Sequence, residues 1–136
     1  MAKGNRGGKR NVALAKIQDR SEFVWELAKK GITYARKTST INQFRQNNPM
    51  RAGSYDDLLA DVDARATEIA IANRRFPNTP IYINQPIPAG YVKITGATTA
   101  PNGFEWYSNN KSRFGGERKT ILVAIPDYYD GLYLPF

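Results

Sequence analysis

Residues 54–76 constrain this chain more than any other stretch. Ser54 stands where a helix N-cap belongs, and Asp56 and Asp57 follow in the first turn, where the helix dipole favours carboxylates. Leu58, Leu59, Val62, Ala66, Ile69 and Asn73 then recur at three and four until Phe76-Pro77 ends the run. The spacing predicts one long amphipathic helix with Leu59 and Val62 in the core. A chain of 136 residues has room for a single core, so the remaining segments must supply the cover for that stripe.

Upstream, Asp19 with Glu22 three residues later reads as an N-terminal capping pair. Phe23, Val24, Leu27, Ala28, Gly31, Tyr34 and Ala35 keep the helical period, which predicts an amphipathic helix over 21–36. Its exposed positions include Lys29, Lys30, Arg36 and Lys37, and cations at that end either complement the dipole as a solvated helix terminus or face a partner. Residues 11–18 fit a short strand or a helical turn. Residues 38–54 are polar and broken by Pro49, so they read as a long loop or an irregular hairpin. Past Pro77 the pattern changes to short strands at 81–83, 90–95, 104–107 and 119–125, punctuated by Pro80, Pro86, Pro88, Pro101-Asn102-Gly103 and Gly115-Gly116. Two amphipathic helices followed by about four strands predict an α+β fold, with the helices packed on a small, mostly antiparallel sheet. The expected organisation is a basic arm over 1–18, the α+β domain over 19–127 and an aromatic extension over 128–136.

The chain has no cysteine and no histidine, which excludes disulfides, thiolate or imidazole metal sites, thiol nucleophiles and Ser-His-Asp arrangements. No apolar run approaches the ~20 residues of a membrane span, so no membrane partner is expected. The net charge of +8 is uneven. Residues 1–53 hold twelve cations against three carboxylates, while residues 54–76 are net acidic and the remainder is nearly neutral. Such a basic first half points at a polyanion or an acidic protein surface.

Four groups of residues are candidates for function. The arm cations Lys3, Arg6, Lys9 and Arg10, on a glycine-rich segment expected to be disordered alone, would anchor a partner or serve solubility. The carboxylates Asp56, Asp57, Asp61, Asp63 and Glu68 suit a helix start, and Asp57 with Asp61 at i, i+4 would alternatively hold magnesium. Trp106, Tyr107, Lys111, Arg113, Arg118 and Lys119, around Asn109-Asn110, interleave rings with cations. They read as a structural hairpin, as a nucleic-acid surface, or as a histidine-free ribonuclease site in which Lys, Arg and Tyr share proton transfer. The end of the chain, with Tyr128, Tyr129, Leu132, Tyr133, Leu134 and Phe136, carries more apolar area than a solvated tail and is expected to pack on a neighbouring subunit.

Ile69-Ala70-Ile71-Ala72-Asn73-Arg74-Arg75-Phe76 followed by Pro80-Ile81-Tyr82-Ile83-Asn84-Gln85-Pro86-Ile87-Pro88-Ala89-Gly90 resembles the tail-completion and neck proteins of tailed bacteriophages. In that family a helix leads into an apolar-Tyr-apolar-Thr/Asn strand and then an Asn, Pro and Ala segment; the preceding helix with a turn at Thr33 to Thr40 is also similar, over roughly residues 21–90. The family's Thr-Pro-Val-Asp-Thr-Gly segment is absent, and Ile87-Pro88-Ala89 replaces its Tyr-Ala pair. The resemblance implies a structural role in rings at the head-tail junction or tail end, with no catalytic residues. The expectation is therefore a virion protein, homo-oligomeric, in contact with other virion proteins and with packaged DNA, needing no cofactor. A basic nucleic-acid-binding protein and a metal-independent ribonuclease are the rivals.

Overall fold

Ser54 and Phe76 bracket the longest element of the structure, a computed structural model that describes residues 14–95, 98–109 and 119–126. A 3-10 turn at Leu14–Lys16 precedes helices α1 (Arg20–Lys30), α2 (Ile32–Lys37), α3 (Thr40–Asn47) and α4 (Tyr55–Arg75). Strands β1 (Ile81–Tyr82), β2 (Val92–Lys93), β3 (Phe104–Ser108) and β4 (Thr120–Ala124) follow, in the sheet order β1-β4-β3-β2. β2 and β4 flank β3 antiparallel, and β1 joins the far side of β4 parallel. The fold is α+β, with a mixed, mostly antiparallel sheet. Of the two structures open for residues 11–18, the described part takes the helical turn.

α4 starts with a complete capping box. Ser54 Oγ accepts from the Asp57 amide at 3.0 Å, and Asp57 Oδ2 accepts from the Ser54 amide at 3.4 Å. Leu58 and Val62 are fully buried; Leu59 is only partly buried, packed against the same cluster, so the turn's core position belongs to its neighbour. At 1.5 Å per residue, Leu58 and Ala72 lie about 21 Å apart along the axis. The N-terminal half of α4 thus packs among helices and its C-terminal half on the sheet, where Ala72 and Ile69 meet Phe104, Leu122 and Ala124.

α1 joins these two clusters. Asp19 caps it, accepting from the Glu22 amide at 2.9 Å. Phe23 and Trp25 are two residues apart, about 200° around the axis, and point to opposite sides. Phe23 stacks on Phe44 at 4.3 Å in the helical cluster, while Trp25 meets Phe104 at 5.4 Å against the sheet. With residues 23–28 all buried, α1 is a central helix, and its exposed residues are Lys29 and Lys30 at its end.

Two expectations for this region are corrected. The single helix over 21–36 is two helices, which together with α3 brings the helices among the described residues to four rather than two. Gly31 adopts φ 99°, a left-handed conformation open to glycine, and its amide closes α1 by donating to Leu27 and Ala28 carbonyls. Apolar periodicity runs through Tyr34 and Ala35 regardless, so it hides the break. Residues 40–47 form helix α3 instead of a loop or hairpin. Asn and Gln are poor evidence for a helix this short, and its order comes from burying Ile41 and Phe44 in the helical cluster. In the sheet, the strand expected over 90–95 is reduced to Val92–Lys93, followed by one main-chain bond from the Ile94 amide to the Trp106 carbonyl at 3.0 Å.

Candidate functional site

The acidic residues of α4 do not converge. Asp57 is used in the capping box, and Asp61 Oδ2 lies 2.7 Å from Arg20 Nη1 on α1. Glu68 Oε1 accepts from Arg65 Nε at 3.0 Å, while Asp56 and Asp63 are exposed. Among the described residues, no three carboxylates are grouped to hold a metal. Magnesium is therefore expected to leave the melting temperature of the full chain unchanged. Asp57→Ala should lose about 1 kcal/mol of capping with or without the ion; a magnesium-dependent rise that disappears in Asp57→Ala would restore the metal reading.

The hairpin candidate is divided by the alternation of β3. Trp106 faces the helices, edge-on to Phe76 at 5.0 Å, and its Nε1–H donates to the Thr98 carbonyl at 3.1 Å. Tyr107 lies on the opposite face of the strand, paired with Ile121. The two rings therefore do not form one stacking platform. Asn109 and Lys119 close the base of the hairpin, through a main-chain bond of 3.2 Å and a bond of 2.9 Å from the Lys119 amide to Asn109 Oδ1. Lys111, Arg113 and Arg118 lie outside the described residues. So do Lys3, Arg6, Lys9 and Arg10 of the arm, and Tyr128, Tyr129, Leu132, Tyr133, Leu134 and Phe136 of the extension.

Three buried charges tie α1 to its surroundings, and none was marked out by sequence reasoning. Arg20 is 4% exposed, and its Nε–H also donates to the Ala52 carbonyl at 2.9 Å. Arg65, 2% exposed, places its guanidinium 5.5 Å from the Trp25 ring. Glu26 is held by Lys29 Nζ at 3.1 Å and by Asn84 Nδ2 at 2.9 Å. Asn84 has φ 56°, a left-handed conformation that asparagine tolerates, and its amide also donates to the Glu22 carbonyl. That geometry aims the side chain from the end of β1 back to α1. Burial pushes the Glu68 carboxyl above its ordinary value, with Arg65 opposing the shift. Gly103, at φ 88°, leaves room for that carboxylate, since an added Cβ would sit 2.6 Å from Glu68 Oε1. Glu22 is also raised, first by burial and then by the charges of Asp19 and Glu26.

These buried pairs organise the interior, and the remaining charges lie on the surface. Lys30, Arg36, Lys37 and Arg51 are each exposed, and no carboxylate pairs with them among the described residues. Lys30 Nζ stands 5.4 Å from the ring of Tyr34, itself 41% exposed. Arg45 bridges α3 to the following loop, donating to the Gly53 carbonyl at 3.2 Å and to Asn42 Oδ1 at 3.3 Å. Among the described residues, no helix is long and apolar enough to cross a membrane. Comparison with protein-family models, with curated proteins and with solved structures finds no match to the chain.

Proposed function

We propose that the chain is a non-enzymatic structural component of a tailed-phage virion, a ring-forming neck or tail-completion protein that contacts other virion proteins and the packaged DNA. The observation carrying this reading is the form taken by residues 69–90, the segment that resembles those proteins. The end of α4 leads through Pro77 into the short parallel strand β1, and Asn84 then turns the chain under α1. The excess of cations in the first half supports a polyanion as one neighbour.

A closed ring of one chain has a mass that is a fixed multiple of 15.3 kDa. Native mass spectrometry and sedimentation of the purified full chain should therefore give one discrete multiple that persists on dilution. A monomer at every concentration would overturn the ring. RNA cleavage by the same preparation, lost on substituting Tyr107 or Lys119, would overturn the non-enzymatic reading in favour of the ribonuclease.

A further inference from the structure

We infer that a shelf formed by β2, Trp106 and the end of α4 is the seat of a second copy's aromatic end, residues 128–136. The inference rests on the ring reading and names the contact that would close such a ring.

Register assembles the shelf. Phe104, Trp106 and Ser108 alternate toward the helices, and Val92 is the partner of Ser108, so Val92 and Ile94 lie on that same face of the sheet. The Ile94 amide donates to the Trp106 carbonyl at 3.0 Å, which sets Ile94 beside Trp106. Phe76 meets Trp106 edge-on at 5.0 Å, and the Arg75 guanidinium stands 5.0 Å from the centre of the Phe76 ring. These contacts join Val92, Ile94, Trp106, Phe76 and Arg75 into one surface. The helices bury the same face of the sheet at Phe104, Leu122 and Ala124 but stop short of β2, where Val92 is 48% exposed. Ile94, Trp106 and Phe76 are half-buried.

The edge beside this face is open too, since β2 is last in the sheet order. In an antiparallel ladder alternate residues turn their N–H and C=O toward the partner strand. Ile94 does so toward Trp106, so Lys93 turns its own outward. An open edge next to an apolar face accepts an extended segment, whose main chain bonds to the edge while alternate side chains lie on the face. Residues 128–136 have the complementary chemistry. Asp130, Leu132 and Leu134 share one side of an extended chain, so leucines laid on Val92, Ile94 and Trp106 bring an opposite charge for Arg75 on the same side. Arg75 is exposed, and no carboxylate pairs with it among the described residues. Donor and acceptor are also separate on each copy. The Ile125 amide holds the chain to the Gly103 carbonyl at 2.8 Å, beyond the Ala124 end of β4, whereas Val92 lies at the Ser108 end, two strands away. Contact between two different patches of identical chains is the head-to-tail kind that closes rings.

The chain has no cysteine, so engineered ones report the contact. Full-length Val92→Cys and Leu132→Cys chains, mixed and mildly oxidised, should give a covalent pair with one chain of each kind, because a disulfide needs Cα atoms within about 7 Å. Leu134→Cys replaces Leu132→Cys in a second mixture, to allow for register. Met50→Cys, at an exposed apolar side chain of the helical layer, is the control and should form mixed pairs about tenfold less often. Val92→Asp, its fold checked by a cooperative melt, should raise the concentration at which the oligomer dissociates by at least about tenfold, since it sets a charge in a desolvated contact. Disulfides formed only within single chains carrying both Val92→Cys and Leu132→Cys, equal yield with Met50→Cys, or no mixed pair in either mixture would overturn the shelf as the subunit contact. The ring reading fails separately: mixed pairs from a chain that never forms a closed ring would keep the shelf and end the ring. A ring that survives Val92→Asp and yields no mixed pairs would keep the ring and end the shelf.

Discussion

Asp61→Ala is expected to lower the unfolding free energy of the full chain by about 3–5 kcal/mol, the range for breaking a buried ion pair by removing one of its members. Arg20 is almost fully buried on α1, and its Nη1 meets Asp61 Oδ2 at 2.7 Å across the contact with α4. The Ala52 carbonyl also accepts from Arg20 Nε–H, at 2.9 Å, without a formal charge of its own. Removing both charges tells the two contributions apart. Arg20→Met/Asp61→Leu exchanges the pair for apolar groups of similar length and should recover most of the loss, because desolvating two ions offsets much of their attraction. Urea unfolding of the two single variants and the double variant gives the coupling directly. A loss below about 1 kcal/mol in Asp61→Ala would place the pair in the class of solvated surface bridges and deny it a role in docking α1 on α4.

That pair also shows what could be read from the chain without a structure. α4 was legible because its determinants are local: the cap at Ser54, the first-turn carboxylates, the apolar spacing and Pro77 all lie within the element. The α+β class followed from the same kind of signal, helical periods giving way to short strands between prolines and glycines. Arg20 and Arg65 were not legible as interior residues. What distinguishes Arg20 from a surface cation is a carboxylate 41 positions away, and Arg65 depends on the Trp25 ring of another helix. The split at Gly31 was hidden because apolar spacing survives a change of helix, and α3 because its order depends on Phe44 stacking with Phe23. The divided hairpin has the opposite cause: Trp106 and Tyr107 are adjacent in sequence, and adjacency in a strand puts side chains on opposite faces.

Trp25→Ala is expected to cost about 3–5 kcal/mol, in the range for truncating a buried aromatic. The residue is 1% exposed and lies in the cluster by which the helical layer holds the sheet. Its ring packs on Phe104, lies under the Arg65 guanidinium and comes within 3.4 Å of where a Cβ on Gly103 would be. Its Nε1–H donates to the Ile125 carbonyl just beyond β4, at 3.2 Å. Trp25→Phe separates these roles. It keeps an aromatic ring against Phe104 but removes the donor and part of the volume, and should lose about 1–3 kcal/mol. The consequences should also be uneven along the chain. Phe23, on the other side of α1, still stacks on Phe44 within the helical cluster, so amides of α1 and the N-terminal half of α4 should retain more hydrogen-exchange protection than those of β3 and β4. Protection lost equally in both clusters would mean that the two fold as one cooperative unit, with no weaker seam at Trp25. A Trp25→Ala protein as stable as the original would show that the sheet is held to the helices chiefly by Ile69, Ala72 and Phe76 of α4.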